Sequence, residues 1–310
     1  MKKETLYYPS KDGRTTIRAI RCLPDGEVKG ILQISHGMVE YIDRYEEFAA
    51  FLCEHGFLVT GNDHLGHGAS VTAESERGYF AESDAGNILV EDLHMLRIMT
   101  QEAYPQTAYF MLGHSMGSFI LRRYLTIHSE GLSGALIVGT GRQPEQLLKL
   151  GRFLCRFLAK VSSWHHRSKL IDGIAFGKNY KKFDAAGDGT SWLSKNAESV
   201  AAYKADPKCG FIFTLNGFDT LFETISYAGN PEHLQGMSKE LPLFFLSGDQ
   251  DPVGEEGKGV MAVYHMYEDA GCTDITWKLY ENDRHEILHE LDRTQIYQDI
   301  LDWMRVRQLM

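Results

Sequence analysis

The segment A-Y-F-M-L-G-H-S-M-G-S, residues 108 to 118, decides how the rest of the chain is read. Residues 108–113 form an apolar run of strand length, and SFILRRYLTIH (118–128) carries apolar residues at helical spacing. Ser115 therefore falls on a turn between a strand and a helix. Gly113 and Gly117 flank it, as a sharp turn of this kind needs, because the strained serine backbone brings neighbouring main chains close together. Such a turn exposes the Ser115 hydroxyl and leaves the first amides of the helix without acceptors, so the Met116 N–H is placed to donate to a developing oxyanion. The plainer reading of the same residues is a Gly-Ser turn capping a helix.

A serine hydroxyl is a poor nucleophile until a base takes its proton and a carboxylate orients that base. Both partners have candidates downstream. LFFLSGDQDPVG (243–254) runs from a strand into a loop with two carboxylates, Asp249 and Asp251, and His285 follows the strand-like ITWKLY (275–280). A second oxyanion donor is expected from a loop after an early strand. SHGMVEYIDRY (35–45) follows GILQIS (30–35), and its His36-Gly37 turn leaves the Met38 N–H free.

His285 also opens H-E-I-L-H, which matches the zinc-binding pattern H-E-x-x-H. That reading needs His285 and His289 on one helical face and a third ligand. Only 21 residues follow His289, and none is a histidine. Zinc also leaves the serine turn and the acid loop unexplained, so the metal site is the lesser reading and no cofactor is expected. His64, His67 and His114 read as packing or hydrogen-bonding residues, and His165-His166 has no evident partner.

Strand-like runs at 15–22, 30–35, 56–62, 108–113, 134–139, 241–248 and 275–280 alternate with helical patterns near 41–55, 87–103, 116–128, 256–270 and 292–306. This is the signature of an α/β fold with a mostly parallel sheet covered by helices on both faces. The alternation stops between 140 and 230, where helical pieces follow one another. The expected organisation is thus a core of 1–139 and 231–310 with a helical cap inserted at 140–230. The insertion holds 13 Lys and Arg against 8 Asp and Glu, in a chain of 310 residues whose net charge is −10.

That acidic balance argues against a nucleic-acid partner, which would need a clustered basic face. Five cysteines without paired spacing read as free thiols in a reducing compartment. MKKETLYYPS lacks the apolar stretch of a signal peptide, and no run is long enough to cross a bilayer. The expected location is cytoplasmic.

HGMVEYIDRY, NDHLGHGAS, LGHSMGS, SGDQDPVG and DRHEILHE, spread in order from residue 36 to 290, jointly resemble α/β-hydrolases of the monoacylglycerol lipase and lysophospholipase group, also classed with serine aminopeptidase-like hydrolases. The resemblance implies Ser115 as nucleophile, His285 as base, Asp251 as acid through the spacing G-x-x-D-x-x-V, and Met38 and Met116 as oxyanion donors. Asp249 is the fallback acid. Two departures stand out. Val39 replaces the second glycine of the family's HGxGE, and Asp63-His64-Leu65-Gly66-His67-Gly68 lacks the arginine of D-x-R-G-H-G.

In PEQLLKLGRFLCRFLAKV (144–161), Leu147, Leu150, Leu154, Phe157 and Val161 share one helical face, while Lys149, Arg152, Arg156 and Lys160 line another. Such a helix suits transient contact with lipid aggregates, or an ordinary cap helix whose apolar side lies on the protein. The aromatic run FIFTLNGF (211–218) suits an acyl tunnel, or ordinary packing. The expected activity is hydrolysis of a carboxylic ester with a medium or long acyl chain through an acyl-enzyme. A peptidase or amidase on the same fold is the alternative, because the triad does not fix the leaving group.

Overall fold

A computed structural model describes residues 1–176, 179–183 and 189–308. Its eight strands are β1 (Lys2–Pro9), β2 (Thr16–Leu23), β3 (Gly30–Ser35), β4 (Phe57–Asn62), β5 (Tyr109–His114), β6 (Gly134–Val138), β7 (Leu243–Gly248) and β8 (Ile275–Tyr280). They form one sheet in the order β1-β2-β4-β3-β5-β6-β7-β8, with antiparallel pairing at β1/β2 and β2/β4 and parallel pairing from β4 to β8. Every residue of β3 to β7 is buried, which explains why these strands read as unbroken apolar runs.

The helices are α1 (Glu46–Glu54), α2 (Ala85–Ala103), α3 (Met116–His128), α4 (Glu145–Val161), α5 (Lys169–Ala175), α6 (Ala197–Ala205), α7 (Leu215–Ala228), α8 (Lys258–Asp269) and α9 (Arg293–Arg307). Residues of α1 and α9 pack with one face of the sheet, and residues of α2, α3 and α8 with the other. Among the described residues, no helix is long and apolar enough to cross a membrane. All five cysteines are unpaired and buried.

The seven expected strands all occur, but β1 was not among them. Its sequence, KKETLYYP, alternates exposed and covered residues on the outer edge of the sheet, where lysines discourage edge-to-edge pairing. Polar edge strands lack the apolar signal that marks central ones.

Between β6 and β7 the described residues form α4 to α7 and no strand. The buried row of α4 is Leu148, Gly151 and Cys155. A Cβ on Gly151 would sit 2.7 Å from the Phe222 ring of α7, so the two helices meet closely there. Of the apolar row read from the sequence, Leu150, Phe157 and Val161 face outward at 52%, 55% and 72% exposed, while Leu154 packs against the core.

Because β3 leads outward to β4 and then back to β5, the direction of winding reverses between β3 and β5. Loops leaving the carboxyl ends of these strands diverge and leave a crevice there. The loop after β3 carries Met38, and the turn after β5 carries Ser115.

Candidate active site

Ser115 has φ 53° and ψ −121°, a conformation a non-glycine residue holds only when its surroundings impose it. The surroundings are tight. Cβ atoms on Gly113 and Gly117 would lie 2.4 Å from the Gly117 carbonyl oxygen and 2.0 Å from that of Ser35, so both positions must be glycine. The Ser115 amide donates to Val138 O at 3.0 Å, and the Ser118 hydroxyl donates to Ser115 O at 2.6 Å.

Asp251 and His285 meet at the carboxyl ends of β7 and β8. His285 Nδ1 lies 3.0 Å from both carboxylate oxygens of Asp251. Asp251 is fully buried and also accepts from Ser247 Oγ at 3.0 Å and the Val253 amide at 2.8 Å. Burial by itself would raise its pKa, but His285 and these donors outweigh burial and hold it below the ordinary value. Asp249 points elsewhere, accepting from the Asn282 amide at 2.8 Å.

Ser115 and His285 line one cavity of about 550 Å³ together with Met38 and Met116. The Ser115 hydroxyl makes no hydrogen bond to a described residue. Such bonds are often long before a substrate is present. The amides of Met38 and Met116 likewise have no acceptor among the described residues, so both remain available to a ligand.

The loop bearing Met38 is held on every side. Glu40 accepts from the Gly37 amide at 2.5 Å, and a Cβ on Gly37 would lie 3.3 Å from Ser115 Cβ, so loop and serine turn are in contact. Val39 adopts φ +52°, a left-handed backbone unusual for a β-branched residue. Its N–H donates to His67 Nε2 at 3.2 Å, and its carbonyl accepts from Gly210 N at 3.0 Å and Tyr203 Oη at 3.3 Å. His67 therefore works as a neutral acceptor; burial lowers its pKa to about 3.

Beneath the site lies a buried ionic cluster. Arg44 donates to both oxygens of Glu286 at 2.7 and 2.8 Å and to Glu40 at 2.5 Å. Burial opposes ionisation of both glutamates, but Arg44 holds each below the usual carboxylate range. His114 Nδ1 sits 3.1 Å from Tyr45 Oη and 3.4 Å from Glu40, and its Nε2 is 3.2 Å from His285 O. Burial alone would lower the His114 pKa; Glu40 reverses this and raises it. The cluster joins the Met38 loop, the serine turn and the backbone of His285.

His285 and His289 do not share a helical face. Only Ile287–His289 is helical, as a single 3-10 turn, and His285 precedes it, engaged with Asp251. His289 is largely buried, with Nε2 3.0 Å from Arg44 O. His165 gains partners the sequence did not show, Glu76 at 3.0 Å and a stacked Tyr79 ring at 4.2 Å.

Sequence reasoning missed Arg44, Glu286 and Trp192, whose ring centroid lies 5.0 Å from that of His285. Arg44 and Glu286 are 242 positions apart, so nothing local signals the pair. Trp192 sits in a segment without periodicity.

A family model described as "Serine aminopeptidase, S33" matches residues 26–292. A monoglyceride lipase of Rattus norvegicus is 27% identical over 293 residues, covering 92% of this chain and 85% of that protein. The monoacylglycerol lipase of Mycolicibacterium smegmatis is 24% identical over 281 residues, covering 91% and 90%. Among solved structures, a thermostable carboxyl esterase from Bacillus coagulans, in complex with glycerol, superposes with a TM-score of 0.92 at 28% identity over 99% of both chains. A soluble variant of monoglyceride lipase from Saccharomyces cerevisiae superposes with a TM-score of 0.77 at 20% identity over 99% of this chain and 96% of that one, a likeness of fold.

Proposed function

This chain belongs to the serine aminopeptidase S33 family and has the α/β-hydrolase fold, and on that premise we propose that it is a carboxylic ester hydrolase. Ser115 Oγ attacks the ester carbonyl while His285 Nε2 takes its proton, and the Met38 and Met116 amides bind the resulting oxyanion. Asp251 orients the imidazole through Nδ1 and stabilises its cationic form. The alcohol leaves with the proton from His285, and an acyl-enzyme on Ser115 remains. His285 then activates water, which releases the acid. No step calls for a metal or an organic cofactor.

The observation that carries this reading is the placement of His285 Nδ1 3.0 Å from both Asp251 oxygens in a cavity shared with the strained Ser115. The cavity is walled largely by apolar side chains from 140–230, among them Leu148, Ile174, Leu221 and Phe222, which suits a medium or long acyl chain of a monoacylglycerol-like lipid. In this reading 140–230 is a cap. The outward apolar row of α4, beside Lys149, Arg152, Arg156 and Lys160, is the surface through which it touches lipid aggregates.

The test is turnover of p-nitrophenyl esters of increasing chain length by wild type and Ser115→Ala, with fluorophosphonate labelling. The expected result is labelling of wild type alone and a loss of at least about a thousandfold in the variant. Equal turnover by both proteins removes the proposal.

A further inference from the structure

We propose that the cavity beside Ser115 selects its ester by charge, with Asp172 as the residue that disfavours anionic substrates and admits neutral or cationic ones. This rests on the reading of Ser115 as the centre of an ester hydrolase.

The cavity wall is mostly apolar, with few charged side chains. No lysine or arginine contributes to it among the described residues, whereas three carboxylates do: Glu40, Glu286 and Asp172. The first two are buried and hydrogen-bonded to the single guanidinium of Arg44, which offsets one of their two charges and holds both in place. Asp172 has no such compensation. It lies on α5, where its amide donates to Ser168 O and its carbonyl accepts from the Phe176 amide, and its carboxylate has no hydrogen-bond or ion-pair partner among the described residues. Lys169, on the same helix, makes no ion pair with it.

Burial raises the Asp172 pKa. Asp172 is only half-buried, so its carboxylate stays partly solvated at the cavity wall, where an entering ligand meets it. α5 also reaches the reacting end of the cavity. The Phe176 ring at its C-terminus lies 6.0 Å from that of Trp192, which in turn lies 5.0 Å from the imidazole of His285. An anionic group entering this space meets an unpaired carboxylate and, among the described residues, no lysine or arginine. A hydroxyl or an ammonium group meets a free acceptor. The basic residues of α4 stand outside: Arg152 and Arg156 pair with Asp219, and Lys149 with Glu145.

The experiment uses octanoyl esters of glycerol, choline and glycerol 3-phosphate, and the p-nitrophenyl esters of hexanoic acid and of adipic acid, so that charge is varied on each limb of the substrate. kcat/KM is measured for wild type, Asp172→Asn and Asp172→Lys, and the anionic-to-neutral ratio is taken within each protein so that any general loss cancels. Wild type is expected to favour the neutral over the anionic ester by about tenfold or more on at least one limb. Asp172→Asn should shrink that preference several-fold, and Asp172→Lys should shrink it further. Raising ionic strength should relieve the penalty on the anionic ester of wild type without changing the neutral one, which needs no variant to fold.

A wild type that takes neutral and anionic esters equally overturns the inference. So does a preference unchanged in both variants, or one insensitive to salt. A wild type that hydrolyses none of the esters instead removes the ester-hydrolase reading beneath it.

Discussion

A Cβ atom on Gly117 would lie 2.0 Å from the carbonyl oxygen of Ser35, so the first turn of α3 rests directly on the end of β3. The contact is backbone to backbone, and no side-chain rotation relieves it. Gly117→Ala should push α3 away from the sheet and turn Ser115 with it. The expected stability loss is about 3 kcal/mol, the upper end for overpacking, with ester turnover reduced more than a hundredfold. Urea denaturation and p-nitrophenyl ester turnover measure the two effects.

Val39 presents the opposite case. Truncating a buried valine ordinarily costs about 1–3 kcal/mol, more to glycine than to alanine because glycine adds unfolded-state entropy. At φ +52° the order should reverse. Val39→Gly removes a strain of about 1–3 kcal/mol that Val39→Ala largely keeps. The glycine variant should therefore be the more stable of the two, by thermal or urea unfolding. The usual order would mean that the left-handed backbone carries no strain.

Arg44 stands between Glu40 and Glu286, and all three side chains are about 90% or more buried. Arg44→Met leaves two carboxylates without their cation, which should cost about 3–5 kcal/mol. The combined change Arg44→Met with Glu286→Gln should recover part of that loss, as a double-mutant cycle in urea would show. Ester turnover should fall in both, because the tether between the Met38 loop and the chain next to His285 is cut.

Asp92 gives a pH signature far from the site. It is buried, accepts from Ser10 Oγ at 2.7 Å and the Lys11 amide at 2.8 Å, and burial pushes its pKa up to about 7. An acid whose folded pKa exceeds its unfolded value, near 3.9, binds more protons when folded. Its contribution to stability is fully present below about pH 4 and lost as pH rises to about 7, on the order of 4 kcal/mol in all. Asp92→Asn should remove that slope. Unfolding free energies of both proteins at pH 5 and pH 8 check it; parallel curves would refute it.

The central strands were legible because parallel strands covered on both faces must be apolar throughout, as GILQIS and YFMLGH are. The edge strand KKETLYYP was not, because one polar face reads like a loop. For α4 the period was legible, and spacing left the direction of its apolar row open. Helical spacing identifies an apolar row but not its partner: here Leu148, Gly151 and Cys155 lie buried while Leu150, Phe157 and Val161 face outward.

By itself, the sequence determined the strand-turn-helix around Ser115 and the order of serine, acid and histidine, because both follow from local spacing and from where glycines must stand. The family spacing favoured Asp251 over Asp249, but only the tertiary structure set its carboxylate against His285, placed His285 outside the helical turn of His289, and assembled Arg44 with Glu286. Those outcomes depend on which side chains converge when β7 and β8 pair and distant loops pack together. Convergence across 242 residues is a property of the folded chain, since no local stretch encodes it.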